Sequence, residues 1–270
     1  MTNRTMILGG GSLGVALAEG LLAAGARSPE QLVVTRRRPE LLGDLAARGV
    51  HVTDDNRAAA RAARVILVCV EPGHVAEVVR DLRGDLDPKQ HVLVSCATGV
   101  GLDALIELAG DGVPVVLAMP NTALAVGASM TCIAARDDVP AAVVDEVADL
   151  FASVGTVERI PEELIAASTV LGACGVAYAL RFIRAASQGG IEIGFDADTA
   201  RRIAAQTAFG AAKLLLDHEH HPEREIDRVT TPRGCTIAGL NEMEHRGFSS
   251  ALIKGVTTSY AKIARIAEGS

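Results

Sequence analysis

Thr5-Met6-Ile7-Leu8-Gly9-Gly10-Gly11-Ser12-Leu13-Gly14 is the stretch that decides the fold. A short apolar run of strand type leads directly into G-x-G-x-x-G, and apolar residues at three-and-four spacing from Leu13 to Ala24 predict a helix immediately after it. In that strand-turn-helix setting each glycine has a physical task. Gly9 permits the tight turn, Gly11 lets the backbone approach a pyrophosphate, and Gly14 lets the helix pack on the strand. Gly10, Ser12 and Leu13 complete the loop, and the helix start offers unpaired N–H groups and a partial positive charge to phosphate. A dinucleotide-binding crevice is therefore expected here. The other reading is a glycine-rich turn in a different α/β fold.

Downstream, short β-branched runs alternate with amphipathic segments, the pattern of βαβ units. Strands are predicted at 31–35, 65–70, 92–95, 113–118 and 155–159, with helices near 39–48, 56–63, 75–82, 102–108 and 141–153. After Ile160-Pro161-Glu162-Glu163 the strand-type runs cease, and Pro followed by two acids suits the first turn of a helix. The expected organisation is α/β: a Rossmann-type doubly wound sheet over 1–160, then an all-helical region over 161–270. Abundant small residues in the helical half suggest burial against a second copy, hence a homodimer.

Composition narrows the function classes. The 270 residues carry 26 Lys+Arg against 33 Asp+Glu, a formal net charge of −7, so the basic footprint of a nucleic-acid binder is missing. Five widely spaced cysteines with no Cys-x-x-Cys pair read as reduced thiols. No signal region and no uncharged apolar stretch near the length of a membrane span is recognised, so a cytoplasmic protein without a membrane partner is expected.

An acid normally stands about 20 residues past the glycines to accept the ribose 2′-OH of NAD. Thr35-Arg36-Arg37-Arg38 occupies that position instead, offering a hydroxyl and guanidinium groups suited to a 2′-phosphate. NADP(H) is favoured, the alternative being an exposed basic turn. Val70-Glu71-Pro72, Ala97-Thr98-Gly99 and Met119-Pro120-Asn121-Thr122 follow strands, where open α/β sheets bind ligands. Pro-Asn is equally a turn former. In the helical half, Gly172 to Tyr178 concentrates small residues where something approaches closely. Val229 to Thr236 is a hydroxyl-rich turn entering a helix, a cradle for a small carboxylate or a plain helix cap. His218, His220 and His221 read as solvated, and no metal is predicted.

With these segments in order, the chain resembles the pyrroline-5-carboxylate reductase family over nearly its full length. The resemblance implies cofactor contacts from Gly9 to Gly14, Thr35 to Arg37, Asn56, Val70 to Pro72, Ala97, Thr98, Met119 and Asn121. A small-residue element similar to Ala173–Tyr178 and a substrate-carboxylate turn similar to Thr230–Thr236 would complete the site, with Thr230, Thr231, Gly234, Cys235 and Thr236 as substrate contacts. Tyr178, Cys235 and Thr236 are the candidates to assist at the imine nitrogen. The implied reaction is hydride transfer from NADPH to a cyclic imino acid, within interlocked dimers that assemble further. The chain departs from the family at Glu71 (usually Lys), Leu117 (Arg), Arg233 (Gly) and Cys235 (Thr). A related cyclic imine as substrate, or an NADP-binding homologue with weak catalysis, are the alternatives these departures leave open. A β-hydroxyacid dehydrogenase is disfavoured, since no lysine lies between Lys89 and Lys213.

Overall fold

The computed structural model describes residues 4–268. Eight strands form one sheet: β1 (Thr5–Leu8), β2 (Leu32–Thr35), β3 (His51–Thr53), β4 (Val65–Val68), β5 (Val92–Ser95), β6 (Val115–Met119), β7 (Ser129–Ala135) and β8 (Gly155–Arg159). Their order is β3-β2-β1-β4-β5-β6-β7-β8. The first six run parallel, β7 lies antiparallel to β6, and β8 is parallel to β7. The strand order reverses between β1 and β4, so the glycine turn leaves β1 at the topological switch point, where such sheets bind ligands.

Successive side chains of β1 alternate between faces. Ile7 joins one apolar cluster with Leu17 and Leu21 of α1 (Ser12–Ala23) and Val147 and Phe151 of α6 (Ala141–Ala152). Met6 and Leu8 join a second cluster with Ala60 of α3 (Asn56–Arg61), Val75 and Val79 of α4 (Pro72–Leu82) and Leu105 of α5 (Leu102–Ala109). Both faces are thus covered, which is why the central strands read as continuous apolar runs. The helix expected at 39–48 is a 3-10 turn at Pro39–Leu42 followed by a short α2 (Gly43–Ala47). β3 and β7 escape the sequence pattern. β3 has three residues and begins with the exposed His51, while β7 (SMTCIAA) alternates partly buried small and polar residues rather than presenting a branched apolar run.

Among the described residues after Arg159 every regular element is helical: α7 (Ile165–Ser168), a π-helical segment at Thr169–Cys174, α8 (Gly175–Glu192), α9 (Ala197–His218), α10 (Pro222–Val229), α11 (Cys235–His245) and α12 (Phe248–Glu268). One compact unit runs to Cys174 and takes in the chain again from Ser259, and the other comprises Gly175–Thr258. Strand content ends near residue 160, but the sheet unit keeps the turns around α7, whose Ile165 packs in the second apolar cluster. The helical unit buries little of itself. No residue of α8, α10 or α11 is buried, and α9 buries only Ala200 and Ala204. Leu180, Phe182, Ile203, Phe209 and Leu252 stay exposed, while Phe182 meets Phe248 edge to face at 6.5 Å.

The expectation that no apolar stretch approaches span length is corrected. The helical run Glu162–Glu192 contains an 18-residue window of mean hydropathy 1.6. Its Ala, Gly, Val and Leu are small or separated enough to escape notice as one block. The run is interrupted by the π-helical segment.

Candidate active site

The glycine turn is fastened from β2. The Gly9 and Gly10 amides donate to the Thr35 carbonyl at 3.1 and 2.8 Å, and Arg36 Nη1 donates to the Gly10 carbonyl at 2.9 Å. Gly9 adopts φ 110, where a side chain is strained, and a Cβ on it would stand 2.8 Å from the Cys69 carbonyl oxygen. A Cβ on Gly14 would overlap the Gly9 carbonyl oxygen, so only glycine lets α1 sit this close to the turn. A Cβ on Gly10 would press on Leu42 Cδ1 at 2.9 Å.

Gly11 differs from these three. It is exposed, has an ordinary φ of −81, and a Cβ there would meet nothing within 4 Å. The protein's own packing thus does not require glycine at 11. Close approach of a ligand would. Gly11 is also the N-cap of α1, which has no side-chain cap and no acid in its first turn, leaving the helix start open to an anion. Ser12 is exposed and Leu13 half-buried beside it. The residues present fit a dinucleotide pyrophosphate.

At the end of β2, Thr35 is 1% exposed and its Oγ1 has no hydrogen-bond partner among the described residues. The hydroxyl expected to face a phosphate is turned inward, because Thr35 is still a strand residue of the core. Its carbonyl holds the glycine turn instead. Arg36 is half-buried against the turn, while Arg37 and Arg38 are exposed and in no ion pair among the described residues. Asn56, half-buried, opens α3 behind Asp55, whose carboxylate accepts from the Ala58 amide at 2.9 Å.

The other expected loops share this edge of the sheet. Val70 is half-buried after β4, and Glu71 and Pro72 form the exposed N-terminus of α4. After β5, Ala97 is buried and Thr98 half-buried, with Gly99 at φ 87. The hydrogen bond with Cys69, and after it burial, pushes the Cys96 thiol well above its ordinary pKa.

Met119 and Asn121 are buried after β6, and the Asn121 amide is occupied at both ends. Oδ1 accepts from the Ala123 amide at 3.0 Å, capping a 3-10 turn at Thr122–Val126, and Nδ2 donates to the Gly172 carbonyl at 3.3 Å. Pro-Asn is a turn former here, and also a tether. The Gly172 end of that tether lies in the π-helical segment, whose wider turn displaces its carbonyls from the ordinary helical ladder. Sequence reasoning flagged the glycines there but not the π turn. Small and β-branched residues, interrupted by Leu171, give no periodic signal that separates it from an α-helix.

In the helical unit Tyr178 is half-buried on α8. The Thr230–Thr236 segment joins α10 to α11. Thr230 Oγ1 donates to the Ile226 carbonyl at 2.7 Å, and the Gly234 amide donates to the Thr231 carbonyl at 2.9 Å across Pro232 and Arg233. Proline at the second position and φ 60 at Arg233 define a type II turn, which ordinarily calls for glycine at the third. Arg233 keeps the backbone form that a glycine would take. A Cβ on Gly234 would stand 2.5 Å from Thr231 Oγ1. Cys235 and Thr236 are exposed in the first turn of α11, whose N-cap Gly234 gives no side-chain hydrogen bond. The start of α11 is therefore open to a carboxylate.

Comparisons with known proteins bear on both units. Residues 4–99 match the profile "NADP oxidoreductase coenzyme F420-dependent", and residues 162–266 match "Pyrroline-5-carboxylate reductase dimerisation". The chain is 42% identical to pyrroline-5-carboxylate reductase 2 of Dictyostelium discoideum, over 95% of this chain and 90% of that one. It is also 42% identical to reductase 1 of the same organism over 98% of this chain, but spans only 50% of that longer protein. A pyrroline carboxylate reductase of Plasmodium falciparum, solved with NADP bound, shares the fold at TM-score 0.89 and 24% identity, with 99% of each chain covered. The order of the glycine turn, strand-end loops and type II turn agrees with that likeness, and the chain belongs to the pyrroline-5-carboxylate reductase family.

Proposed function

We propose that the protein reduces Δ1-pyrroline-5-carboxylate to L-proline with NADPH, in the biosynthesis of that amino acid, as a cytoplasmic homodimer able to assemble further. The observation that carries this is the 42% identity, over 95% of this chain and 90% of the other, with a reductase of that name, with the glycine turn intact. The α1 amides and the open face of Gly11 receive the pyrophosphate. Arg37, with Arg36 already anchored to Gly10, takes the 2′-phosphate. Asn56, Val70, Glu71, Pro72, Ala97, Thr98, Met119 and Asn121 line the remaining cofactor surface. When bound, the reduced nicotinamide supplies the hydride.

Residues 161–270 are proposed to carry dimerisation and substrate binding. Thr231, Gly234, Cys235 and Thr236 hold the substrate carboxylate at the start of α11, while Thr230, whose hydroxyl is committed to Ile226, shapes the turn. A cyclic imine is readily protonated, so the protein needs to orient the ring and stabilise its nitrogen rather than supply a strong acid. Thr236, Cys235 and Tyr178 are the groups assigned to that task. The exposed apolar surface of α8, α9 and α12 supports the dimer.

A panel of five- and six-membered cyclic imino acids, assayed with NADPH and with NADH, tests the reading. Turnover is expected to be best on the five-membered ring with NADPH. Equal or better use of NADH, or a preference for a six-membered ring, would overturn the corresponding assignment. A thiol is the weaker donor, so Cys235→Thr should raise turnover of the pyrroline, and an unchanged or lower rate would remove Cys235 from the site. Tight NADPH binding without turnover on any ring would favour the non-catalytic homologue.

A further inference from the structure

The three imidazoles that sequence reading left to solvent are sorted differently by the fold. α9 ends at His218, Glu219 caps it in a left-handed conformation (φ 52), and the chain returns so that the rings of His218 and His220 lie 5.4 Å apart. His221 is used elsewhere: as N-cap of α10, its Nδ1 accepts from the Glu223 amide at 3.3 Å. Glu225 takes the third place. Its Oε1 lies 2.5 Å from His220 Nδ1 and 3.5 Å from His218 Nδ1, with only 11% of the side chain exposed. All three candidate ligand atoms fall within 4.8 Å of one another.

We propose that His218, His220 and Glu225 form a binding site for a zinc-like divalent ion that ties α10 to the end of α9. Two imidazole nitrogens converging on one carboxylate oxygen exceed what a single ion pair needs, and two protonated rings at this spacing would repel. One borderline ion bonded to two neutral nitrogens and a carboxylate, with water completing a tetrahedron, satisfies all three groups. Ligand atoms about 2.0–2.1 Å from such an ion stand roughly 3.3–3.4 Å apart. The His218–Glu225 pair already has that spacing, and the His220–Glu225 pair needs to open by about 1 Å. Arg228 Nη1, 3.2 Å from both carboxylate oxygens, is placed to hold Oε2 while Oε1 faces the ion. Two nitrogens and one oxygen do not suit magnesium or calcium. The consequence reaches the turn beyond: α10 has eight residues, and Thr230 is bonded back to Ile226 within it, so fixing α10 fixes the start of the 230–234 turn.

The test is titration of the full-length, metal-free protein with zinc by calorimetry and with cobalt(II) by visible absorption. Binding of one ion per chain is expected, with the d–d bands of a tetrahedral nitrogen-and-oxygen site and no thiolate charge-transfer band. His218→Ala, His220→Ala and Glu225→Gln should each weaken binding by about tenfold or more. His221→Ala should bind as the unaltered protein does, and magnesium and calcium should not bind. Absence of zinc binding, binding that survives in the His218→Ala/His220→Ala double variant, or a loss in His221→Ala equal to that in His220→Ala would overturn the proposal.

Discussion

Gly11 and Gly14 stand three residues apart in one motif, yet the structure gives them opposite reasons for being glycine. At the buried Gly14 a methyl group would overlap the Gly9 carbonyl oxygen and reach within 3.1 Å of the buried Ile7 Cγ2. Backbone cannot step aside as a flexible side chain would, so the overpacking cost falls at the upper end of the usual range, about 3 kcal/mol. Better helix propensity returns at most about 1 kcal/mol. The net loss for Gly14→Ala is about 2 kcal/mol, or roughly 4–8 °C in melting temperature for a domain of this size. At Gly11 the same methyl meets nothing, and the loss of a favoured N-cap residue, about 0.5–1 kcal/mol, is largely offset by the lower entropy of the unfolded chain, leaving a shift of about 1 °C. What Gly11→Ala should lose is the cofactor. Displacing charge-assisted hydrogen bonds worth about 1.5–3 kcal/mol weakens NADPH binding roughly 10- to 100-fold. Thermal unfolding and NADPH fluorescence titration of both variants provide the assay. A Gly11→Ala protein that melts as low as Gly14→Ala, or that binds NADPH unimpaired, would refute this division of labour.

Four further outcomes follow from individual contacts. Arg37→Ala should erode the preference for NADPH over NADH by about tenfold with unchanged melting temperature, since Arg37 is exposed and in no ion pair among the described residues; an unchanged cofactor ratio would remove it from the proposed 2′-phosphate site. Asn121→Ala strips the cap from Ala123 and the tether to Gly172, which should cost about 2 kcal/mol in urea unfolding, and a loss under about 0.5 kcal/mol would contradict the tether. Arg233→Gly should stabilise the chain by about 0.5–1 kcal/mol relative to Arg233→Ala, because only glycine relieves φ 60; the reverse order would show that the turn is unstrained. His91 is buried with Nδ1 accepting from the Asp87 amide and Nε2 facing the Ala60 carbonyl, and burial lowers its pKa below that of an unfolded histidine. The unfolded chain therefore binds a proton that the folded chain excludes. This contribution to stability is complete above the ordinary histidine range and is lost as pH falls through it. His91→Gln should flatten the slope of stability against pH near 6, and an unchanged slope would contradict the assignment.

The cofactor half was legible because its signals are local. Val65–Val68 and Val92–Ser95 announce buried parallel strands by composition, and the glycines announce the turn by spacing. β7 was not legible, because its pairing with β6 is antiparallel and its Thr131 and Ser129 are buried in a polar network with Asn121 rather than in an apolar run. The inward turn of Thr35 and the double use of Asn121 depend on contacts to residues 9, 10 and 172, which no local pattern encodes. Arg233 at φ 60 shows the converse. A turn could be read from Pro232 and Gly234, but that an arginine would take the left-handed third position of a type II turn runs against propensity. The gathering of His218 and His220 with Glu225 rather than with the adjacent His221 depends on the path of the chain from α9 into α10, which spacing along the sequence does not encode.

The most direct measurement of the central claim is the stoichiometry of a single reaction mixture: purified protein, NADPH and Δ1-pyrroline-5-carboxylate, with cofactor absorbance and proline quantified together. One proline is expected to form for each NADPH consumed. Proline absent while the cofactor binds, or NADPH consumed without proline, would contradict it.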